Sequence, residues 1–254
     1  MAVTEEQSST TFIRPDGKEK VTGAGRYTAD LNLTGQVHAK FRYADHPHAR
    51  IVSIDTAKAR ALPGVVAVVT HEDVPDVRYG GMVQDRRLFA KEVVRWEGDV
   101  VAGVAALSPA IAEEAAALIE VEYEPLPSVV DFEAAAKGGA PLVHEGWEGY
   151  EGDEDMAREG NVLGRSTLVR GDVEAVLAEE GVTVVSGRYE ADASQGVPIE
   201  PHAIVAQWSG DRVTVWSSSQ TPYEARSGVA HTLGIPESHV RIVVPLLGGG
   251  FGAK

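Results

Sequence analysis

The chain contains no cysteine, which excludes disulfides and any zinc or iron–sulfur centre held by thiolates within it. A reducing, cytoplasmic location is therefore the expectation. Basic residues are also scarce, because 23 Lys and Arg stand against 38 Asp and Glu and give a net charge of -15. Nucleic acids and anionic membrane surfaces select a basic face, so neither is expected to be the main partner.

Long apolar runs are absent too. No stretch approaches the roughly 18 apolar residues that predict a membrane span. The first residues are acidic and polar, where a secretory signal would be basic and then apolar. A hydrophobic content of 43% with 24% charged residues is that of a globular protein, and 254 residues suffice for one large domain or two ordinary ones.

The order of short strands and helices predicts an α+β fold. Residues 1–17 read as a flexible tail, and residues 18–30 as a loop with spaced glycines. Strands are expected at 37–44, 51–54, 65–70, 92–96, 100–106 and 121–124, and helices at 55–62 and 110–119. Ser108 and Pro109 form a typical helix start. Strands 92–96 and 100–106 flank Gly98-Asp99, which predicts that they pair around a turn. Residues 18–130 are thus predicted to form one compact domain.

Acidic residues and glycines alternate in the next stretch, which marks the best domain boundary. The carboxylates are Glu145, Glu148, Glu151, Asp153, Glu154 and Asp155. A calcium site is the alternative, but the spacing of an EF-hand loop is missing. Residues 131–160 are therefore interpreted as a solvated acidic linker, and no metal ligand is assigned in this chain.

Residues 161–254 are predicted to begin a second domain. A helix is expected at 172–181 and another from Thr221 to about Leu233. Strands are expected at 182–189, 203–208, 212–217 and 241–245. The last strand would lie at an unfinished sheet edge, which predicts poor solubility or oligomerisation of the chain alone.

A glycine-rich loop, Gly248-Gly249-Gly250-Phe251-Gly252, follows that last strand. So many glycines carry a large entropic penalty on folding, which close approach to a ligand would offset. Gly248, Gly250 and Ala253 also satisfy the dinucleotide fingerprint, but that motif needs a following helix and an acidic residue about 20 positions on. A plain glycine-rich turn is the remaining interpretation.

Other candidate side chains are individually weak signals. Gln220 follows a strand within Ser217-Ser218-Ser219-Gln220-Thr221-Pro222, and His202 lies between two strands in Glu200-Pro201-His202. Alone, each is more typical of a surface or structural residue. Signatures of serine hydrolases, HExxH zinc enzymes and P-loop proteins are missing.

Several segments, in order, resemble the molybdopterin-binding large subunit of the xanthine dehydrogenase/aldehyde oxidase family of molybdenum hydroxylases. They cover roughly residues 18–254. The similar segments are Lys20-Val21-Thr22-Gly23, Arg26-Tyr27-Thr28-Ala29-Asp30, His46-Pro47-His48-Ala49-Arg50-Ile51, Leu62-Pro63-Gly64-Val65, Glu122-Tyr123-Glu124-Pro125-Leu126-Pro127, Glu200-Pro201-His202, Ser219-Gln220-Thr221-Pro222, Leu233-Gly234-Ile235-Pro236 and the glycine loop.

The resemblance implies a hammerhead-like α/β domain followed by the first part of a molybdopterin-binding domain. It implies that Gln220 is the catalytic residue and donates a hydrogen bond to an oxo ligand of molybdenum. Gly249, Gly250, Phe251 and Gly252 would place backbone groups beside the cofactor. The implied reaction is hydroxylation of an aldehyde or an N-heterocycle with oxygen from water.

The same resemblance implies partners, because family large subunits continue for several hundred residues. The C-terminal part of the molybdopterin subunit, with the catalytic base and most cofactor contacts, would come from another chain, and 2Fe-2S clusters and FAD from further subunits. The expectation is a split enzyme subunit that is not active alone. A non-catalytic assembly or binding module, or a truncated fragment, is the alternative.

Overall fold

The computed structural model describes residues 14–152 and 157–254, so the tail up to residue 13 and Asp153, Glu154 and Asp155 of the acidic stretch lie outside the described residues. Contacts divide the chain into two compact units. One contains residues 33–193 and 231–234, and the other contains residues up to 32, 194–230 and 235–254. The domain boundaries given above stay a prediction.

The first unit contains six of the strands and four short helices. In chain order these are β1 (His38–Tyr43), β2 (Ala49–Asp55), α2 (Ala57–Ala61), β3 (Val65–Val69), β4 (Val93–Val94), β5 (Val100–Ala106), α3 (Pro109–Ala117), β6 (Glu120–Pro125), α4 (Phe132–Ala135) and α5 (Val173–Leu177). A 3-10 turn lies at Trp147–Gly149. A mixture of helix and strand is what the α+β prediction requires.

Strand β5 is the centre of the first sheet. It pairs antiparallel with β1 on one side and with β3 on the other. Its side chains are buried on both faces: Val104 packs in a cluster with helices α2 and α3, and Val101 in a cluster with Ala49 and Val94. Helix α3 begins as predicted, because Ser108 Oγ accepts a hydrogen bond from Ile111 N at 3.3 Å.

The predicted pairing of residues 92–96 with residues 100–106 is wrong. Strand β4 pairs with β2, in a second sheet of order β4-β2-β6. The turn between them is attached to the end of β1 instead, because Gly98 N donates to Ala44 O at 2.8 Å and Ala44 N donates to Asp99 O at 2.8 Å. Gly98, at φ 97°, turns the chain from one sheet into the other.

The second unit contains one three-stranded sheet and, among the described residues, most of the longest helix. Its elements are α1 (Gly17–Thr22), β7 (Ile204–Ser209), β8 (Arg212–Ser217), helix α6 (Pro222–Leu233) as far as Ala230, and β9 (Val240–Val243), with 3-10 turns at Thr28–Asp30 and Glu237–His239. Strand β8 pairs antiparallel with β7 and parallel with β9. Val213, Val215 and Val240 pack against Ala230 of α6.

Two further expectations are corrected. Residues 17–22 form helix α1 rather than a loop, and Gly23 ends it at φ 71° with its N–H bonded to Lys20 O. Residues 182–189 form no strand with any described residue. Among the described residues, no helix combines the length and the apolar character needed to cross a membrane.

Candidate functional site

The glycine loop and Gln220 lie at the same edge of the sheet formed by β7, β8 and β9. Strand β8 ends at Ser217, three residues before Gln220, and β9 ends at Val243, five residues before Gly248. Because β8 and β9 are parallel, their carboxyl ends lie side by side, which is where α/β sheets commonly bind ligands. The fold thus brings together two segments that are 28 positions apart or more in the sequence.

Gln220 is fixed by the backbone of the loop. Its side-chain Oε1 accepts hydrogen bonds from Gly252 N at 3.0 Å and from Lys254 N at 3.4 Å, while its own backbone N–H donates to Lys254 O at 3.1 Å. These donors identify the oxygen of the amide. Gln220 is exposed, and no described residue accepts from its Nε2. An amide donor is therefore available beside the loop.

Gly250 shows why the loop needs glycine. A Cβ built there would lie 2.4 Å from Gln220 Cδ and Oε1, so no side chain fits without moving Gln220. Gly249 and Gly252 have φ of 98° and 82°, values that L-residues rarely adopt. The loop and Gln220 form one interlocked unit.

Phe251 is the unusual residue of the loop. It has φ 53°, in the left-handed region that a bulky residue seldom occupies, and it is 75% exposed. Such strain persists only where surrounding contacts hold it, and it concentrates at functional sites. Ala253 N donates to Gly250 O at 2.9 Å and closes the turn around Phe251.

A buried ion pair holds the two ends of the loop. Glu200 Oε2 accepts from Gly248 N at 2.7 Å and from Lys254 Nζ at 2.7 Å. The side chain of Lys254 is fully buried, and that of Glu200 is 6% exposed. The other carboxylate oxygen, Oε1, is buried with no hydrogen-bond partner in the described part of the chain. The carboxylate thus fixes the loop at its first glycine and at the lysine that follows it.

Two further contacts complete the support. His202 Nε2 donates to Ala253 O at 2.6 Å, so this nitrogen carries the proton. On the other side Leu246 N donates to Arg26 O at 3.1 Å, in a parallel bridge with Tyr27. The segment after helix α1 therefore lies beside the chain that leads into the loop.

Sequence patterns identify Gln220 and the glycines but not the side chains that support them. Glu200 and His202 stand out only as part of a motif, and Lys254 has no predicted role.

No group of three or more His, Cys, Asp or Glu residues suited to a metal ion exists within residues 14–152 and 157–254. A cofactor that carries its own metal ligands would not need such a cluster. The features present suit a cofactor of that kind: a loop free of side chains at Gly250, an exposed backbone at Gly252, and an amide donor at Gln220 that no described residue uses.

Comparisons with known proteins define the class. The aldehyde oxidase and xanthine dehydrogenase a/b hammerhead domain matches residues 22–127, and the molybdopterin cofactor-binding domain matches residues 155–254. These are the two domains implied by the resemblance, in the predicted order.

Individual relatives then define the family within this class of protein. The chain is 35% identical to a xanthine dehydrogenase molybdenum-binding subunit of Escherichia coli, over 95% of this chain and 32% of that protein. It is 34% identical to the nicotinate dehydrogenase large molybdopterin subunit of Eubacterium barkeri, over 95% and 54% respectively. The crystal structure of quinoline 2-oxidoreductase from Pseudomonas putida 86 superposes with a TM-score of 0.80, at 36% identity over 94% of this chain and 30% of that one.

The chain belongs to the xanthine dehydrogenase/aldehyde oxidase family, and the predictions of family and fold class are confirmed. It spans about a third to about half the length of these relatives. Whole-subunit properties therefore go beyond what the matches establish.

Proposed function

We propose that this chain supplies one wall of the molybdopterin site of an oxidoreductase that hydroxylates an aldehyde or an N-heterocycle, and that a partner chain or further segment supplies the rest. The observation that carries the proposal is the interlocked arrangement of Gln220 and the loop. Gln220 Oε1 is used by Gly252 N and Lys254 N, which directs the unused Nε2–H donors to a ligand.

Each residue has a proposed task. Gln220 donates a hydrogen bond to an acceptor atom of the cofactor, and an amide does so at any physiological pH because it does not titrate. Gly249, Gly250, Phe251 and Gly252 present backbone without side chains in the way. Glu200, Lys254 and His202 position the loop and do not touch the cofactor. When bound, the molybdenum cofactor supplies the two-electron oxidation that inserts water-derived oxygen into a carbon–hydrogen bond.

Several elements of the proposal come from the relatives and the resemblance alone. These are the C-terminal part of the molybdopterin subunit, the partner subunits with 2Fe-2S clusters and FAD, a cytoplasmic location and inactivity of the chain alone. The catalytic base belongs to the part of the relatives that this chain does not match. Two named relatives act on nicotinate and quinoline, both N-heterocycles, which supports the substrate class but no particular substrate.

The test is substitution of Gln220 in the complete molybdenum-containing protein. Gln220→Ala removes the proposed hydrogen bond to a charged or strongly polar acceptor, typically about 1.5–3 kcal/mol, and also the acceptor of Gly252 N and Lys254 N, so turnover should fall by at least about tenfold. Gln207→Ala is the matched control, since Gln207 is an exposed glutamine on β7. Molybdenum and pterin are quantified in each preparation. A stoichiometric native complex without molybdenum would refute the proposal.

A non-catalytic assembly or binding module is the second candidate, and it predicts a complex that lacks molybdenum. The dinucleotide interpretation predicts binding of NAD or FAD by the chain. Titration of both nucleotides, followed by the fluorescence of Trp216 and the other tryptophans, separates it from the molybdopterin proposal.

A further inference from the structure

A strand predicted by the sequence, at residues 182–189, has no partner among the residues that the structure describes. Residues 182–189 read Val-Thr-Val-Val-Ser-Gly-Arg-Tyr, rich in the β-branched side chains that favour extended backbone. The other long strands predicted for residues 161–254 form within this chain, as β7, β8 and β9. Residues 182–189 instead run as irregular chain, although their composition is as favourable as that of β8.

The backbone of this segment forms no ladder of hydrogen bonds with another described strand. From Thr183 to Ile199, no backbone N–H or C=O forms a hydrogen bond to the backbone of any other described residue. The last such bond before this stretch is Val182 N to Glu179 O at 3.4 Å, and the next after it is Glu200 N to Gly248 O at 3.3 Å. The segment thus presents a row of unpaired main-chain groups ready for another strand.

The apolar side chains of this segment are exposed as well. Val184 is 61%, Val185 89% and Tyr189 95% exposed. One side of the segment is anchored, because Arg188 bonds to Glu133 Oε1 of α4 at 2.7 Å. A segment held at Arg188 with Val185 and Tyr189 uncovered presents both the hydrogen-bonding edge and the side chains that strand addition needs.

We propose that residues 182–189 become a β-strand by pairing with a strand from the rest of the molybdenum-binding subunit, the portion that this chain does not match in its relatives. The proposal rests on the proposed function. The unmatched part of such relatives is the candidate occupant, because quinoline 2-oxidoreductase superposes on 94% of this chain with only 30% of its own length. The remaining polypeptide is the source of the missing strand, whether it lies on the same polypeptide or on another.

Hydrogen–deuterium exchange tests this pairing in the native protein, purified through a tag on this chain together with the rest of the subunit. In the isolated chain the amides of residues 183–189 should exchange at the rate of unstructured backbone. In the native protein at least every second amide should exchange about tenfold or more slowly, since an edge strand donates alternate N–H groups to its neighbour. Unchanged exchange in the native protein would overturn the proposal.

Proline substitution supplies the second measurement. Val185→Pro removes a donor that the isolated chain does not use, so its urea midpoint should match the wild type. Co-expressed as a separate chain with the rest of the subunit, the same variant should recover at most about a tenth as much of it as the wild-type chain does. Leu168→Pro is the matched control, because Leu168 is 97% exposed and lies outside the strand pattern; it should recover a normal amount. Equal recovery by both variants contradicts the proposal.

Two other outcomes are decisive. Protection that rises with the concentration of the isolated chain would show pairing between copies of this chain, which overturns the proposed occupant. Molybdenum content is measured in parallel and separates the two proposals. Protected amides in a molybdenum-free complex would support the strand pairing and refute the proposed function. Unprotected amides in a molybdenum-containing complex would refute the strand pairing and support the proposed function.

Discussion

Strand β5 and residues 182–189 are similar in sequence and opposite in structure. Both are short and apolar, and both are predicted to be strands. Strand β5 has neighbours within the chain on both sides, β1 and β3, and its valines 101 and 104 are at most 2% exposed. Residues 182–189 have no neighbouring strand among the described residues, and Val185 is 89% exposed. Composition favours an extended backbone in both, but only a partner makes a strand.

The difference shows what kind of information each prediction needs. A strand pattern reports that a segment suits a pleated, half-buried surface. Whether that surface exists depends on the rest of the chain, and the described residues supply none for residues 182–189. As a prediction about this chain alone the strand is wrong, and the interface proposed above is what would turn this β-prone segment into one.

The sharpest test of this comparison is the same substitution at both places. Val104→Asp places a carboxylate among Ala115, Ile119 and their neighbours without a partner, so the free energy of unfolding should fall by more than about 4 kcal/mol. Val185→Asp should change it by less than about 0.5 kcal/mol, because the new carboxylate stays in water. Urea unfolding followed by circular dichroism measures both. A large loss for Val185→Asp would show that the segment is packed within the chain after all.

A second test compares a buried ion pair with an exposed one. Glu200→Gln leaves the ammonium of fully buried Lys254 without its counter-charge, which should destabilise the chain by about 3–5 kcal/mol. Glu120→Gln is the matched control, because Glu120 pairs with Lys58 at the surface and both side chains are more than 60% exposed. The free energy of unfolding of Glu120→Gln should fall by less than about 1 kcal/mol. Equal losses would contradict the assigned burial.

The double variant Glu200→Met/Lys254→Met sharpens the same point. Removing both charges leaves no isolated ion, so the double variant should lose less free energy of unfolding than Glu200→Gln alone. A double variant less stable than the single one would indicate that the pair contributes through net attraction.

A third test compares two glycines. Gly250→Ala puts a methyl group 2.4 Å from Gln220 Cδ and should lower the free energy of unfolding by about 1–3 kcal/mol, with displacement of the Gln220 side chain. A methyl group at Gly228, in helix α6, would clash with no described residue outside its own helix, so Gly228→Ala should raise the free energy of unfolding by up to about 1 kcal/mol. Molybdopterin retention in the complete protein should fall only for Gly250→Ala. Equal molybdopterin retention by the two variants would contradict the placement of the loop beside the cofactor.

Sequence reasoning succeeded where local chemistry decides. Ser108 and Pro109 start α3, and alternation places β8 correctly, whereas the helix expected at 172–181 is only the five residues of α5. It failed where distant segments decide. The turn at Gly98-Asp99 bonds to Ala44 instead of forming a hairpin, and nothing near residue 98 encodes that partner. For the same reason the contact of Glu200 with Lys254, 54 positions away, was not foreseen, although the nearby glycines were.

The smallest expected effect lies at the start of β5, in the dependence of stability on pH. Burial raises the pKa of Asp99, although its carboxylate accepts from Arg95 N at 3.2 Å. The native state thus holds the proton more tightly than the unfolded chain, whose carboxyl has a pKa of about 3.9. Stability should fall as the pH rises from about 4 through the native pKa, and then level off.

Asp99→Asn removes this titration and keeps an oxygen that accepts from Arg95 N. Its stability relative to the wild type should therefore rise between about pH 4 and the native pKa of Asp99. Asp45→Asn provides the opposite sign: a hydrogen bond from His46 lowers the pKa of Asp45, so that carboxylate adds stability that is lost as the pH falls. Urea midpoints of the three proteins measure both slopes, because the Asp45 effect lies below about pH 4 and the Asp99 effect lies above it. An Asp99→Asn curve parallel to that of the wild type above about pH 4 would mean that Asp99, at the turn which directs β5 into its sheet, is hydrated rather than buried.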